Sequence, residues 1–163
     1  MRRRSLILAA ASFAAVAPGA ASEPATILTV LGKIRRSNTN GKAFRFTEVE
    51  LMALPKASIT TSTVWTPRRC FEGPRLRDVL GHVGADGATL RVTALSDYSV
   101  AIPTSDATRY GIILAHSQDG RRMERNHFGP LWVIYPRDQF PDELDGPMAQ
   151  AKFIWQVRSI EVQ

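Results

Sequence analysis

The residues of this chain best suited to chemistry are aromatic rings lying beside turn signals. Trp65 precedes Thr66-Pro67, Tyr98 follows Ser96-Asp97, Tyr135 precedes Pro136, and Trp155 stands ahead of a run of β-formers. Flat rings at strand ends can sandwich a planar heterocycle while polar neighbours meet its hydrogen-bonding edge. Asp97, next to Tyr98, carries a carboxylate able to accept two donors from a guanidine-like edge such as that of pterin or guanine. Aromatic rings also fill cores, and Trp132, inside the apolar run Leu131-Trp132-Val133-Ile134-Tyr135, reads as core. Loop position singles out Trp65, Asp97 and Tyr98 as ligand residues.

Other chemistry is signalled less. There is no hydrolase elbow, phosphate-binding glycine loop, zinc-protease helix or calcium loop. The three histidines (His82, His116 and His127) are too scattered to form a metal-binding unit. His116 follows a strand and reads as structural; His127, just before Gly129-Pro130, is the better ligand-site candidate. The single cysteine, Cys70, excludes an intramolecular disulfide. Arg68 and Arg69 beside it could stabilise a thiolate, so Cys70 reads either as a reactive or metal-ligating residue or as an incidental loop thiol. Arg121 to Arg125 (RRMER) reads as a solvated face.

These residues must be positioned by short strands and a few short helices. Thr26 to Leu31 is rich in β-branched residues and closed by Gly32, which predicts a strand. Arg35 to Lys42 is a polar turn. Phe46 to Pro55 carries helix signals, with Thr47 as cap, Glu48 and Glu50 in the first turn and Pro55 as stop. Ala57 to Val64 alternates as a strand, and Leu76-Arg77-Asp78-Val79-Leu80 has the i, i+3, i+4 spacing of a helix running towards Gly81 and Gly84. Leu90–Leu95 and Tyr98–Ile102 read as strands around Ser96-Asp97, followed by a helix from Ser105 to Tyr110 and a strand from Gly111 to His116. Asp119-Gly120 marks a tight turn, Leu131–Tyr135 a buried strand, and Phe153–Val162 a last strand. Short helices among mainly antiparallel strands define an α+β domain.

Charge and length set the destination. The 163 residues carry 21 Lys and Arg against 15 Asp and Glu, a formal +6. Arg2, Arg3 and Arg4 precede an uncharged apolar run from Leu6 to Val16, then Gly19-Ala20-Ala21-Ser22 and Glu23. That order is the one found in a secretory signal peptide, residues 1–22, cleaved near Ala21 or Ser22; the run is too short for the roughly 20 residues of a spanning helix. Arg3-Arg4-Ser5-Leu6-Ile7 loosely resembles a twin-arginine signal. The mature domain, residues 23–163, keeps 18 basic and 15 acidic residues, a net +3 that does not call for nucleic acid.

Five stretches in order resemble the sulfite-oxidase-type molybdopterin-binding domain. They are Phe71 to Leu80 (FEGPRLRDVL), Ala94 to Tyr98 (ALSDY), Ile102-Pro103, His127 to Leu131 (HFGPL) and Trp155 to Ile160 (WQVRSI). The resemblance implies a mixed α+β fold and, in the family's enzymes, a mononuclear molybdenum pterin cofactor. Those enzymes ligate molybdenum by a cysteine after the strand preceding the F-x-G segment. The matching stretch here, Ser58 to Thr63 (SITTST), has none, and Cys70 lies later. The enzymes also hold the cofactor by an H-G-x-P-V-R motif and by a lysine before the final tryptophan. His127 and Pro130 match that pattern, but Trp132 stands at the arginine position and Ile154 at the lysine position. Arg68, Arg69 and Lys152 are the cations available to compensate.

The chain is therefore similar to small exported members that bind pterins in the periplasm and act on a membrane-bound cyclic-di-GMP enzyme. On that reading Trp65 and Tyr135 stack on the ring, Asp97 accepts from its N–H groups, His127 or Arg69 meets its oxo edge, and Tyr98 and Trp155 complete the site. The expected protein is a non-catalytic pterin sensor. The alternative is a molybdopterin-dependent oxidoreductase subunit, or its inactive remnant, with Cys70 as substitute ligand.

Overall fold

The computed structural model describes residues 25–163, so the expected signal peptide, residues 1–22, lies outside the described residues. The chain runs β1 (Thr26–Gly32), β2 (Ala43–Thr47), α1 (Glu48–Met52), β3 (Lys56–Thr61), β4 (Arg69–Pro74), α2 (Leu76–Val83), β5 (Thr89–Ala94), β6 (Ser99–Pro103) and α3 (Asp106–Arg109). It continues through β7 (Ile113–Ala115), β8 (Ser117–Gln118), β9 (Arg121–Arg122), β10 (Trp132–Ile134), α4 (Pro141–Leu144), α5 (Pro147–Gln150) and β11 (Val157–Val162). A five-stranded sheet has the order β2-β1-β11-β5-β6, a second is ordered β3-β4-β8-β9, and β10 pairs with β7. Among the described residues only β1 and β11 pair in parallel; the other pairings are antiparallel. The expected mixed α+β architecture is the one observed.

The period-2 alternation explains the large sheet. Leu28 and Val30 on β1, Leu90 and Val92 on β5, and Ile160 and Val162 on β11 are all buried on one face. Their neighbours Thr29, Ser159 and Thr93 occupy the other, polar face, in register across three strands. The helices begin and end as their residues dictate. In α1 the Glu50 N–H donates to Thr47 Oγ1 (3.2 Å), and the Thr47 N–H returns to Glu50 Oε2 (2.8 Å). Hydrogen bonds from the Thr47 backbone and hydroxyl hold the Glu50 carboxyl below its usual range. Helix α2 buries Leu76, Val79, Leu80 and Val83 and is ended by Gly84 in the left-handed conformation (φ 63°).

Three segments differ from the sequence expectation. Ala43–Thr47, of which Ala43 to Arg45 carried no assignment and Phe46-Thr47 was read as the helix start, is β2, because it pairs along β1 from Thr26 to Leu31. Arg69–Pro74 is a full strand, β4, between β3 and β8. Phe153–Trp155 is not part of the last strand: Trp155 makes only an isolated bridge to Trp132, and β11 begins at Val157.

The F-x-G segment owes its residues to packing. Phe71 is fully buried, and a Cβ on Gly73 would lie 1.9 Å from the Leu114 carbonyl oxygen of β7. Backbone cannot yield as a flexible side chain can. Gly73→Ala is therefore expected to cost about 1–3 kcal/mol, the usual range for overpacking, read as a lowered urea midpoint. An unchanged midpoint would show that β7 can move aside.

Candidate functional site

Trp65, Tyr98 and Trp155 converge. Together with Ala94, Ser96, Ala151, Phe153 and Ile154 they line a cleft of about 220 Å³. Each ring is partly exposed, 45% for Trp65, 53% for Tyr98 and 36% for Trp155, so each offers a face to a ligand. Trp65 sits in the loop after β3, where buried Thr63 folds the chain: its Oγ1 accepts from the Trp65 N–H (3.1 Å) and the Thr66 N–H (2.9 Å). Tyr98 is presented by the β5–β6 turn, in which Asp97 takes a left-handed conformation (φ 68°) that Asp tolerates well.

Behind the cleft stands Trp132. Its ring is fully buried, stacked on Phe128 (4.4 Å between centroids) and packed edgewise against Phe71 (5.4 Å) and Trp65 (6.0 Å). Its indole N–H donates to the Phe153 carbonyl at 2.9 Å, tying the 151–155 wall to the core. The same wall is held by the Val133 N–H on the Ile154 carbonyl and by Lys152, whose Nζ lies 2.8 Å from Asp106 Oδ2. The core role read for Trp132 is thus also the support of the aromatic site.

The other sequence-predicted residues lie elsewhere. Asp97 does not line this cleft; its carboxylate pairs with Arg158 at 2.5 Å. Arg69 and His127 share a second, polar cleft of about 590 Å³, in which Arg69 is paired with Asp119 at 3.3 Å. Tyr135 is fully buried and its hydroxyl donates to Asp106 Oδ2 (3.0 Å), so its ring presents no face for stacking. Burial, with the Asp106 charge beside it, pushes the Tyr135 phenol far above its usual range and keeps it a neutral donor. Sequence reasoning missed Phe153 and Ile154, which precede Trp155 and were read as strand; the apolar pair flanking that tryptophan was the available signal.

His116 is a further buried titratable group. Its Nδ1 lies 2.6 Å from Ser117 Oγ, while Nε2 is buried without a partner among the described residues. Burial, reinforced by the Arg122 and Lys56 charges and only partly opposed by Glu72 and Glu48, lowers its pKa. The unfolded chain therefore binds a proton below about pH 6.5 that the folded chain resists. Stability is expected to fall as pH drops below that value, and His116→Gln should flatten the fall in a Tm-against-pH series. A wild-type slope unchanged in the variant would assign the acid sensitivity to other groups.

This arrangement of sheets, with an aromatic cleft at the end of β5, defines a protein of the sulfite-oxidase-like fold class. A family model described as the oxidoreductase molybdopterin binding domain matches residues 38–140, and the chain belongs to that family. The crystal structure of the sulfane dehydrogenase SoxCD from Paracoccus pantotrophus is similar, with a TM-score of 0.62 and 15% identity. The likeness covers 83% of this chain but 37% of that one, so this chain spans little more than a third of its length. At that identity the likeness establishes the fold. No curated protein sequence matches the chain.

The family implies a molybdenum pterin cofactor, and the residues present do not fit its metal. No group of three or more His, Cys, Asp or Glu among the described residues could hold a metal ion. The end of β3 and the loop after it offer Thr61, Ser62 and Thr63 in place of a thiolate. All three hydroxyls are engaged internally, Thr61 Oγ1 accepting from the Asp138 N–H and Ser62 Oγ donating to Asp138 Oδ1. Cys70 sits opposite Thr60 in the β3–β4 register and therefore on the other side of that ribbon from Ile59 and Phe71, which face the Trp132 cluster. Nor do the phosphate-binding cations return: Lys152 is committed to Asp106 and Arg69 to Asp119, leaving Arg68 without an ion pair among the described residues.

Proposed function

We propose that this chain is a binding protein for a pterin-type heterocycle and not a catalyst. The observation that carries this reading is the convergence of Trp65, Tyr98 and Trp155 on one cleft in a molybdopterin-family fold whose metal-ligand position lacks a thiolate. At about 220 Å³ the cleft falls below the roughly 300–1,000 Å³ of sites for drug-sized ligands, which suits a bicyclic ring better than a whole phosphate-bearing cofactor. Ring stacking supplies the affinity, and Ser96, also in the lining, carries a hydroxyl that can meet a polar edge. The signal-like order of the first 22 residues supports a periplasmic protein, in which occupancy of the cleft would alter contacts with a membrane signalling partner, a cyclic-di-GMP enzyme.

Denaturing the purified protein and assaying the released material for pterin fluorescence and for molybdenum tests the reading. Pterin without metal supports it; stoichiometric molybdenum would overturn it in favour of an oxidoreductase subunit, the reading that family membership alone favours. Trp65→Ala is expected to weaken pterin binding about tenfold, since one stacked ring contributes about 0.5–1.5 kcal/mol beyond its buried area. The titration should be accompanied by a Tm close to wild type, because Trp65 is half exposed. Undiminished affinity would remove Trp65 from the site.

A further inference from the structure

We infer that a third cleft of this molecule, one of about 790 Å³ on the polar face of the five-stranded sheet, is a site for a small, multiply charged oxyanion. Its floor is the cross-strand row Arg45, Thr29 and Ser159, contributed by β2, β1 and β11 at matching register positions and therefore on one face. Its wall is the segment Arg122–Arg125, which the sequence suggested to be merely solvated. Met123 of that segment is buried and pins it against the core.

Four arginines from three different segments meet here: Arg45 of β2, Arg122 and Arg125 of the wall, and Arg158 of β11. Two are already oriented by carboxylates, Arg122 by Glu48 (2.8 Å) and Arg158 by Asp97. Arg45 and Arg125 have no ion-pair partner among the described residues, and Glu124 is the remaining acid of the lining. Guanidinium groups bind carboxylate and phosphate oxygens through paired N–H donors, and the hydroxyls of Thr29 and Ser159 add neutral donors between them. The volume lies within the roughly 300–1,000 Å³ of small-molecule sites, and a concave cleft selects a compact ligand over an extended chain. Leu95 of the β5–β6 turn lines this cleft, whereas Ser96 and Tyr98 of the same turn line the aromatic one, so the two sites are neighbours with separate chemistry.

The test is calorimetric titration of the mature protein with inorganic pyrophosphate and, separately, with citrate, at low and at high salt. Saturable binding of either, weakened by salt, is expected. Tighter pyrophosphate identifies a phosphate-ester ligand and tighter citrate a polycarboxylate. The double variant Arg45→Gln/Arg125→Gln should weaken binding at least tenfold, and Ser159→Asp, which puts a like charge on the floor, should do the same by an independent route. Arg36→Gln, an exposed arginine outside the cleft, should change nothing. No saturable binding of either probe, or equal losses in the double variant and in Arg36→Gln, would overturn the assignment. The outcome is independent of pterin binding, which is read in the Trp65 variant.

Discussion

Replacing Lys152 by methionine is expected to cost about 3–5 kcal/mol of stability, the range found when one member of a buried ion pair is removed. The side chain of Asp106 is 8% exposed and its Oδ2 accepts from both Lys152 Nζ and the Tyr135 hydroxyl. Without the ammonium, a buried carboxylate would keep a single neutral donor. Against a total of about 5–15 kcal/mol for a domain, that loss is a large share, and it should appear as a markedly lower urea midpoint with an unchanged slope. The double variant Asp106→Asn/Lys152→Met removes both charges together and should recover most of the loss, because the attraction of a buried pair roughly offsets its desolvation. Lys152 lies between Ala151 and Phe153, both in the lining of the aromatic cleft, so pterin affinity should fall in the single variant and return in the double. A loss below about 1 kcal/mol in Lys152→Met would mean that solvent reaches Asp106 and that the 151–155 wall is held by its backbone bonds alone.

The sequence made some of this legible because some of its signals are local. Thr47 as helix cap, the apolar spacing of Leu76, Val79 and Leu80, and the Asp119-Gly120 turn each carry their own geometry, and each is found as read. Strands β2 and β4 were not legible, since each is defined by the strands it pairs with and not by a pattern of its own: β2 is fixed by β1, and β4 by β3 on one side and the later β8 on the other. Position beside a turn drew attention to Trp65, Tyr98 and Trp155 together, and the fold brings these three to one cleft. The same criterion could not separate them from Tyr135, whose burial depends on α3 and on Asp106, residues about thirty positions earlier. Asp97 was assigned from its neighbour Tyr98, but adjacent residues point apart: the carboxylate turns to Arg158 while the ring joins the cleft. Arg122 to Arg125 looked featureless because the acid that orients Arg122, Glu48, is far away in the sequence.

Trp132 stands where the family's enzymes have an arginine, and restoring that arginine is expected to unfold the protein instead of rebuilding a cofactor site. Trp132→Arg would remove the ring that packs against Phe71, Phe128 and Trp65, a loss of about 3–5 kcal/mol for truncating a large buried aromatic. It would also place a guanidinium in a fully buried position with no carboxylate among the aromatic residues that pack on it, a further cost of several kcal/mol for an unpaired buried charge. The sum reaches the whole stability of a typical domain, so little folded protein should remain at 25 °C. Trp132→Phe separates the contributions: it keeps most of the packing but leaves the Phe153 carbonyl without the indole donor, which should cost about 1–3 kcal/mol. Adding Ile154→Lys to Trp132→Arg restores both family cations yet supplies no buried anion, so it should not rescue folding. If that double variant nonetheless folded with a near-native Tm and bound a phosphorylated pterin more tightly than wild type, Trp132 would be a recent filling of a cofactor site that the fold still keeps. The hydrogen bond from its indole to the wall of the cleft argues instead that the tryptophan now forms the back of the aromatic site, which depends on that ring for its shape.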